Sequence, residues 1–89
     1  MIRRRVVVHG FVQGVGFRDT VRWRAQQRGV SGWVRNRGDG AVEAAFEGEP
    51  AAVERMVEFM HEGPRGAAVE RVDVSKEEPE GLSGFAIRG

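Results

Sequence analysis

Apolar residues recur with two periods along this chain, and the switches between them outline its elements. Ile2 to His9 is β-branched and nearly continuous at Val6-Val7-Val8, which predicts a strand. Phe17, Val21, Ala25 and Arg28 then fall at helical spacing. Asp19 in the first turn complements the helix dipole, and Gly29 marks the stop. Trp23 lies off this stripe and is expected to be partly exposed or to cover the sheet edge. Val30 to Arg37 predicts a second strand, and Arg37-Gly38-Asp39-Gly40 a hairpin turn whose Asp-Gly pair supplies the positive φ such turns demand. In the third strand, Ala41 to Glu47, Val42, Ala44 and Phe46 alternate with Glu43, Ala45 and Glu47. One face is therefore expected to be covered and the other wetter. Pro50 opens a second helix, with Val53, Met56, Val57 and Met60 as its apolar stripe and Gly63-Pro64 as its end. A fourth strand over Ala68 to Lys76, a loop over Glu77 to Gly81 and a short last strand at Phe85-Ala86-Ile87 complete the chain.

The order β-α-β-β-α-β, with a short extra C-terminal strand, predicts an α+β fold. Two right-handed crossovers flanking a hairpin give an antiparallel sheet with both helices on one face, a ferredoxin-like sandwich. At 89 residues there is room for one core, so residues 1–89 are expected to form a single domain.

Composition narrows the chemistry. Hydrophobic residues at 40% and charged ones at 30% describe a soluble globular chain. The absence of cysteine rules out disulfides, thiolate catalysis and cysteine-held metals. Met1-Ile2 runs straight into three arginines, so no signal peptide is expected and a cytoplasmic protein is the default. Net charge is +1, yet residues 1–40 carry nine arginines against Asp19 and Asp39, while residues 41–89 carry five basic and eleven acidic side chains. A basic front half suits an anionic ligand, although charge runs also serve simply as solvated faces.

That front half contains Gly10-Phe11-Val12-Gln13-Gly14-Val15-Gly16-Phe17-Arg18, between the first strand and the first helix. Its glycines allow positive φ, and backbone N–H groups in such a turn can converge on an anion. The helix N-terminus adds positive potential, and Arg18 a planar fork that fits phosphate. Two readings stand: a phosphate or carboxylate cradle, or a tight turn with a solvated arginine. The dinucleotide fingerprint is excluded because Asp19 stands where its third glycine belongs. A Walker-type loop is excluded because the chain's only lysine is Lys76. Asn36, at the end of the second strand, either starts the turn through its own side chain or reaches the same anion. The second reading assumes that its strand lies close to the strand feeding the loop.

Other chemistries find less support. His9 and His61 show no metal-ligand spacing, so no metal is expected. His61 ends a helix, and His9 is a strand-end histidine that could touch a ligand. Ser31, Ser75 and Ser83 lack a nucleophile elbow. Asp39 and Glu43 show no acid–base pairing, and most other acids look solvated. A ferredoxin-like RNA-binding module is the competing reading. It needs exposed aromatics on the third strand, and Phe46, aligned with Val42 and Ala44, is expected to face the helices.

Taken together, Gly-x-Val-Gln-Gly-Val-x-Phe-Arg at Gly10 to Arg18 and Gly-Trp-Val-Arg-Asn-x-x-x-Gly-x-Val-x-x-x-x-x-Gly at Gly32 to Gly48 are similar to the acylphosphatase family. Chain length, element order and the closing Gly84-Phe85-Ala86-Ile87-Arg88 extend the likeness over the whole chain. Gly38 before Asp39-Gly40 departs from the pattern at a non-catalytic position. The resemblance implies hydrolysis of the carboxyl–phosphate bond of a small acyl phosphate, without cofactor or metal. It implies that Arg18 and the loop amides of Val12, Gln13, Gly14, Val15, Gly16 and Phe17 hold the phosphate, and that Asn36 positions the attacking water. Neither nucleic acid nor membrane is an expected partner, and a monomer is expected. The chain starts at methionine and ends after its last strand, which predicts a free-standing enzyme rather than a module of a larger hydrogenase-maturation or carbamoyl-transfer protein.

Overall fold

A computed structural model describes residues 1–89. The strand Val42–Gly48 (β3) is the middle of a five-stranded sheet and is buried from Val42 to Glu47. On one side it pairs antiparallel with Ile2–Phe11 (β1), with Val6 opposite Ala44 and Val8 opposite Val42. On the other it pairs antiparallel with Ser31–Asn36 (β2), with Val34 opposite Ala44 and Asn36 opposite Val42. Ala68–Glu77 (β4) pairs antiparallel with the outer edge of β1, and Phe85–Arg88 (β5) runs parallel to β2, giving the order β4-β1-β3-β2-β5. The four long strands form the antiparallel sheet expected, and β5 makes it mixed. Its direction follows from the connection: the chain leaves β4 at one edge and must cross the sheet to reach the other.

The helices Phe17–Gln27 (α1) and Pro50–Glu62 (α2) cover one face. Strand parity sends Val6, Val8, Val34, Val42, Ala44 and Phe46 toward them, where they meet Phe17, Val21 and Ala25 of α1 and Val53, Met56, Phe59 and Met60 of α2. The α2 stripe differs from the expected one, since Phe59 is buried and Val57 only half-buried. Phe59 packs tilted on Phe17 with ring centroids 6.3 Å apart, which ties the two helices over the sheet. Trp23 is 61% exposed, in line with the first of the two placements expected for it.

The opposite face is not the wetter one expected. Glu43, Ala45 and Glu47 are all buried there. Residues Glu80 to Leu82 cross that face, and their three backbone N–H groups donate to the Glu47 carboxylate at 2.8–3.2 Å. Arg3 bonds Glu47 at 2.6 Å and Glu77 at 2.8 Å. Arg5 reaches Glu43 at 2.9 Å and Glu77 at 3.0 Å, and Arg35 closes on Glu43 at 2.7 Å. Burial alone pushes Glu47 up, but the Glu80 N–H, Arg3 and the Leu82 and Gly81 N–H groups hold it below the ordinary carboxylate range. Glu43 behaves alike: burial raises it, and Arg5 with Arg35 more than offsets the rise. Glu77 is held low chiefly by its bonds to Arg3 and Arg5. These acids are therefore structural, and they neutralise three of the nine front-half arginines.

Candidate active site

Gly10 and Phe11 end β1, and the next five residues form a loop that turns into α1. Gly16 is the residue before the helix, at φ 75° and ψ 19°, and Gly14 has φ 77°; both are left-handed conformations that favour glycine. A Cβ at either would meet no atom within 4 Å, so backbone conformation rather than space calls for glycine there. Gly16 has no side chain with which to cap the helix. The first amides of α1 have no intrahelical acceptor, and the first turn-closing bond is Thr20 N–H to the Gly16 carbonyl at 3.1 Å. No protein acceptor takes the N–H groups of residues 13–19. The turn is thus rich in free donors at the positive end of a helix.

These donors border a cavity of about 130 Å³ lined by Val12, Gly14, Gly16, Phe17, Arg18, Asp19 and Asn36. That is roughly ten times the ~10–15 Å³ one water requires, enough for a tetrahedral oxyanion with a water beside it. Arg18 lies in the first turn of α1 and takes part in no ion pair, so its guanidinium is not committed to a carboxylate. Asn36 arrives from β2. That strand lies one strand away from β1, with β3 between them. Asn36 reaches the cavity by parity, sharing the helix-facing side of β2 with Val34 while Trp33 and Arg35 point to the opposite face.

Of the other expected site residues, Val12, Gly14, Gly16 and Phe17 line the cavity, whereas Gln13 and Val15 do not. Val15 packs half-buried against the core. The Gln13 side chain turns to the hairpin, donating through Nε2 to the carbonyls of Arg37 at 2.8 Å and Ala41 at 3.0 Å. Asp19 joins the cavity wall without having been singled out from sequence. It is 78% exposed and lies 3.8 Å from Arg22, and its place directly after Arg18 was the available signal. His9 takes no part: it is on the other face of the sheet, its Nε2 3.1 Å from Asp73. His61 Nδ1 lies 3.0 Å from the Val57 carbonyl in the last turn of α2.

A wider depression of about 420 Å³ lies between α2 and the β1–β4 edge, lined by Arg4, Ala51, Glu54, Arg55, Val57, Glu58 and Val74. It has no glycine turn at its wall, and its Arg55 lies 4.0 Å from the Glu58 carboxylate. No group of three or more His, Cys, Asp or Glu side chains is arranged to hold a metal ion. The platform an RNA reader would need is not presented: Phe46 faces the helices, and Trp33 is 5% exposed between the guanidiniums of Arg5 and Arg88, 5.2 and 4.7 Å from its ring centre. No helix is long and apolar enough to cross a membrane.

Residues 4–87 match the Acylphosphatase family. The chain is 58% identical over 86 residues to an acylphosphatase of Haloarcula marismortui, covering 97% of this chain and 94% of that one. Its fold superposes on the crystal structure of acylphosphatase from Bacillus subtilis with a TM-score of 0.95, at 39% identity and with all of both chains covered. A structure of full-length HypF also aligns, with a TM-score of 0.91 and 29% identity, over 99% of this chain and 12% of that one. The same fold therefore also occurs as one part of a much longer protein. With the family pattern matched almost end to end, and with an acylphosphatase fold on which every strand and helix superposes, the chain belongs to the acylphosphatase family and hydrolyses acyl phosphates.

Proposed function

We propose that Arg18 and the free N–H groups of Val12 to Phe17 hold the phosphoryl group, and that Asn36 orients the water that attacks it. The convergence of Arg18, the glycine turn and Asn36 on one small cavity supports this reading most strongly. An asparagine is no base near neutral pH, and for an ordinary ester that equipment would be too weak. An acyl phosphate is different. Its leaving group is a carboxylate, whose conjugate acid has a pKa of roughly 4, so it departs without being protonated. What remains is to stabilise charge on the phosphoryl oxygens and to hold water in line, which a guanidinium, aligned amides and one side-chain amide can do.

Every group in this scheme comes from a single chain and none needs a metal or cofactor. We therefore read the protein as a monomer acting on a small diffusible substrate. A crystal soaked in inorganic phosphate tests the binding half of the proposal. The ion should seat between the Arg18 guanidinium and the turn amides, with a water on Asn36. An ion bound elsewhere, with Arg18 turned away, would overturn it.

A further inference from the structure

We propose that Gln13 is a positioning residue, whose side chain fixes the glycine turn against the β2–β3 hairpin and so sets the distance between the phosphate cradle and Asn36. The inference rests on the role proposed for Asn36. The two halves of the site come from different places: the cradle is the turn after β1, and Asn36 stands at the end of β2, one residue before the hairpin turn. Only the Gln13 side chain bonds one loop to the other. It does so at the two carbonyls that close the hairpin. The Arg37 carbonyl also accepts the Gly40 N–H at 3.2 Å, and the Ala41 carbonyl accepts the Arg37 N–H at 2.8 Å.

The chemistry of the match is specific. Each carbonyl has two lone pairs, and here each takes one backbone donor and one Gln13 donor. The side-chain amide has two N–H donors on one nitrogen, and each has its own acceptor, at 2.8 and 3.0 Å. Glutamate would present acceptors to acceptors, methionine would fill the space without donating, and asparagine is one methylene shorter. The residues gripped are the immediate neighbour of Asn36 and the residue beside Val42, its cross-strand partner. A grip there controls where the Asn36 amide lies relative to the turn, without touching substrate itself.

The test is a double-mutant cycle on benzoyl phosphate hydrolysis, with enough enzyme to quantify residual turnover and with phosphate inhibition and thermal melting recorded for each variant. Gln13→Ala and Gln13→Met should each lower kcat by about tenfold or more, since misplacing a reacting group by ~1 Å costs up to ~10²-fold. Phosphate inhibition should stay within about threefold of the parent, because Arg18 and the turn amides remain. In an Asn36→Ala background, Gln13→Ala should then cost no more than about twofold, because the group it positions is gone. A merely structural glutamine would lower the melting temperature without separating kcat from phosphate affinity. Full turnover in Gln13→Met, or the same fold-loss with and without Asn36, overturns the positioning role while leaving the Asn36 role intact. Parental turnover in Asn36→Ala alone removes the underlying reading, and the positioning role with it.

Discussion

The Arg3 guanidinium meets the Glu47 carboxylate at 2.6 Å, and the two side chains are 1% and 0% exposed. Glu47 is the better supplied of the pair. Besides Arg3 it accepts the N–H groups of Glu80, Gly81 and Leu82, so one buried carboxylate anchors the segment that carries the chain across the sheet to β5. Arg3 retains Glu77 at 2.8 Å if Glu47 is lost, but the three N–H groups have no other acceptor. The two halves of the pair are unequal in consequence.

Removing one partner of a buried ion pair typically costs ~3–5 kcal/mol. Glu47→Ala should reach that range, because it takes the buried partner from Arg3 and leaves three backbone donors without an acceptor. Arg3→Met should cost less, since Glu47 keeps its backbone donors and the methionine fills the space. Urea unfolding midpoints at constant slope give the comparison. Equal losses, or a larger loss in Arg3→Met, would contradict the anchoring role.

Acid should weaken the fold through the same acids. Glu43, Glu47 and Glu77 all have folded pKa values below their ordinary 4.5. A depressed carboxylate contributes stability that is complete above the unfolded pKa and is lost as pH falls through the folded one. Stability should be flat from neutral pH to about pH 5 and then fall below the ordinary range near pH ~4.3. The acid-dependent part should shrink in Glu47→Gln. An unfolding free energy that does not change between neutral pH and pH ~3, in buffers of matched ionic strength, would show that these acids are not linked to folding.

Gly16 in the turn and Gly32 in the sheet should separate binding from folding. At Gly16 the left-handed backbone is the only obstacle, so Gly16→Ala should cost ~1–2 kcal/mol of local strain and show itself as weaker phosphate inhibition. At Gly32 a Cβ would lie 1.8 Å from the Ala45 carbonyl oxygen, so Gly32→Ala should show itself as lost stability. Inhibition constants and melting temperatures of both variants decide the matter. Undiminished phosphate affinity in Gly16→Ala would argue against a cradle built from these amides.

How far sequence reasoning reached is explained by the range of each interaction. Periods of two and 3.6 are local, so Val42-Ala44-Phe46 and Phe17-Val21-Ala25 announce their strand and helix. The same alternation says which face Glu43 and Glu47 occupy but not whether something covers it. Their partners stand 38 and 44 residues away at Arg5 and Arg3, and the covering segment follows β4. Glycine chemistry and Arg18 marked the turn as a candidate anion site. Asn36 lines the same cavity as the turn; its parity on β2 is local and readable, whereas the β3 strand that stands between β2 and β1 is set by long-range pairing. Gln13 was read as a backbone donor only, because its two carbonyl partners belong to a loop 24 and 28 residues on.

Arg18 carries the charge half of the proposed mechanism. Arg18→Ala should lose at least ~10²–10³ in rate, the loss seen for one preorganised donor, and should weaken phosphate inhibition in parallel. Arg18→Lys should fall between, because an ammonium keeps the charge but not the two-pronged geometry. Turnover of the parent should survive a chelator, as no step in the scheme uses a metal. Steady-state kinetics of the three proteins, with and without chelator, would expose any of these as wrong. Loss of parental activity on chelation is the most damaging outcome.

The claim that binding and water placement are divided between two residues is tested most directly by Asn36→Ala. Steady-state hydrolysis of benzoyl phosphate should lose most of its kcat in this variant, while inorganic phosphate inhibits it with nearly the parental constant. Parental turnover in Asn36→Ala, or loss of phosphate inhibition together with activity, would contradict the account.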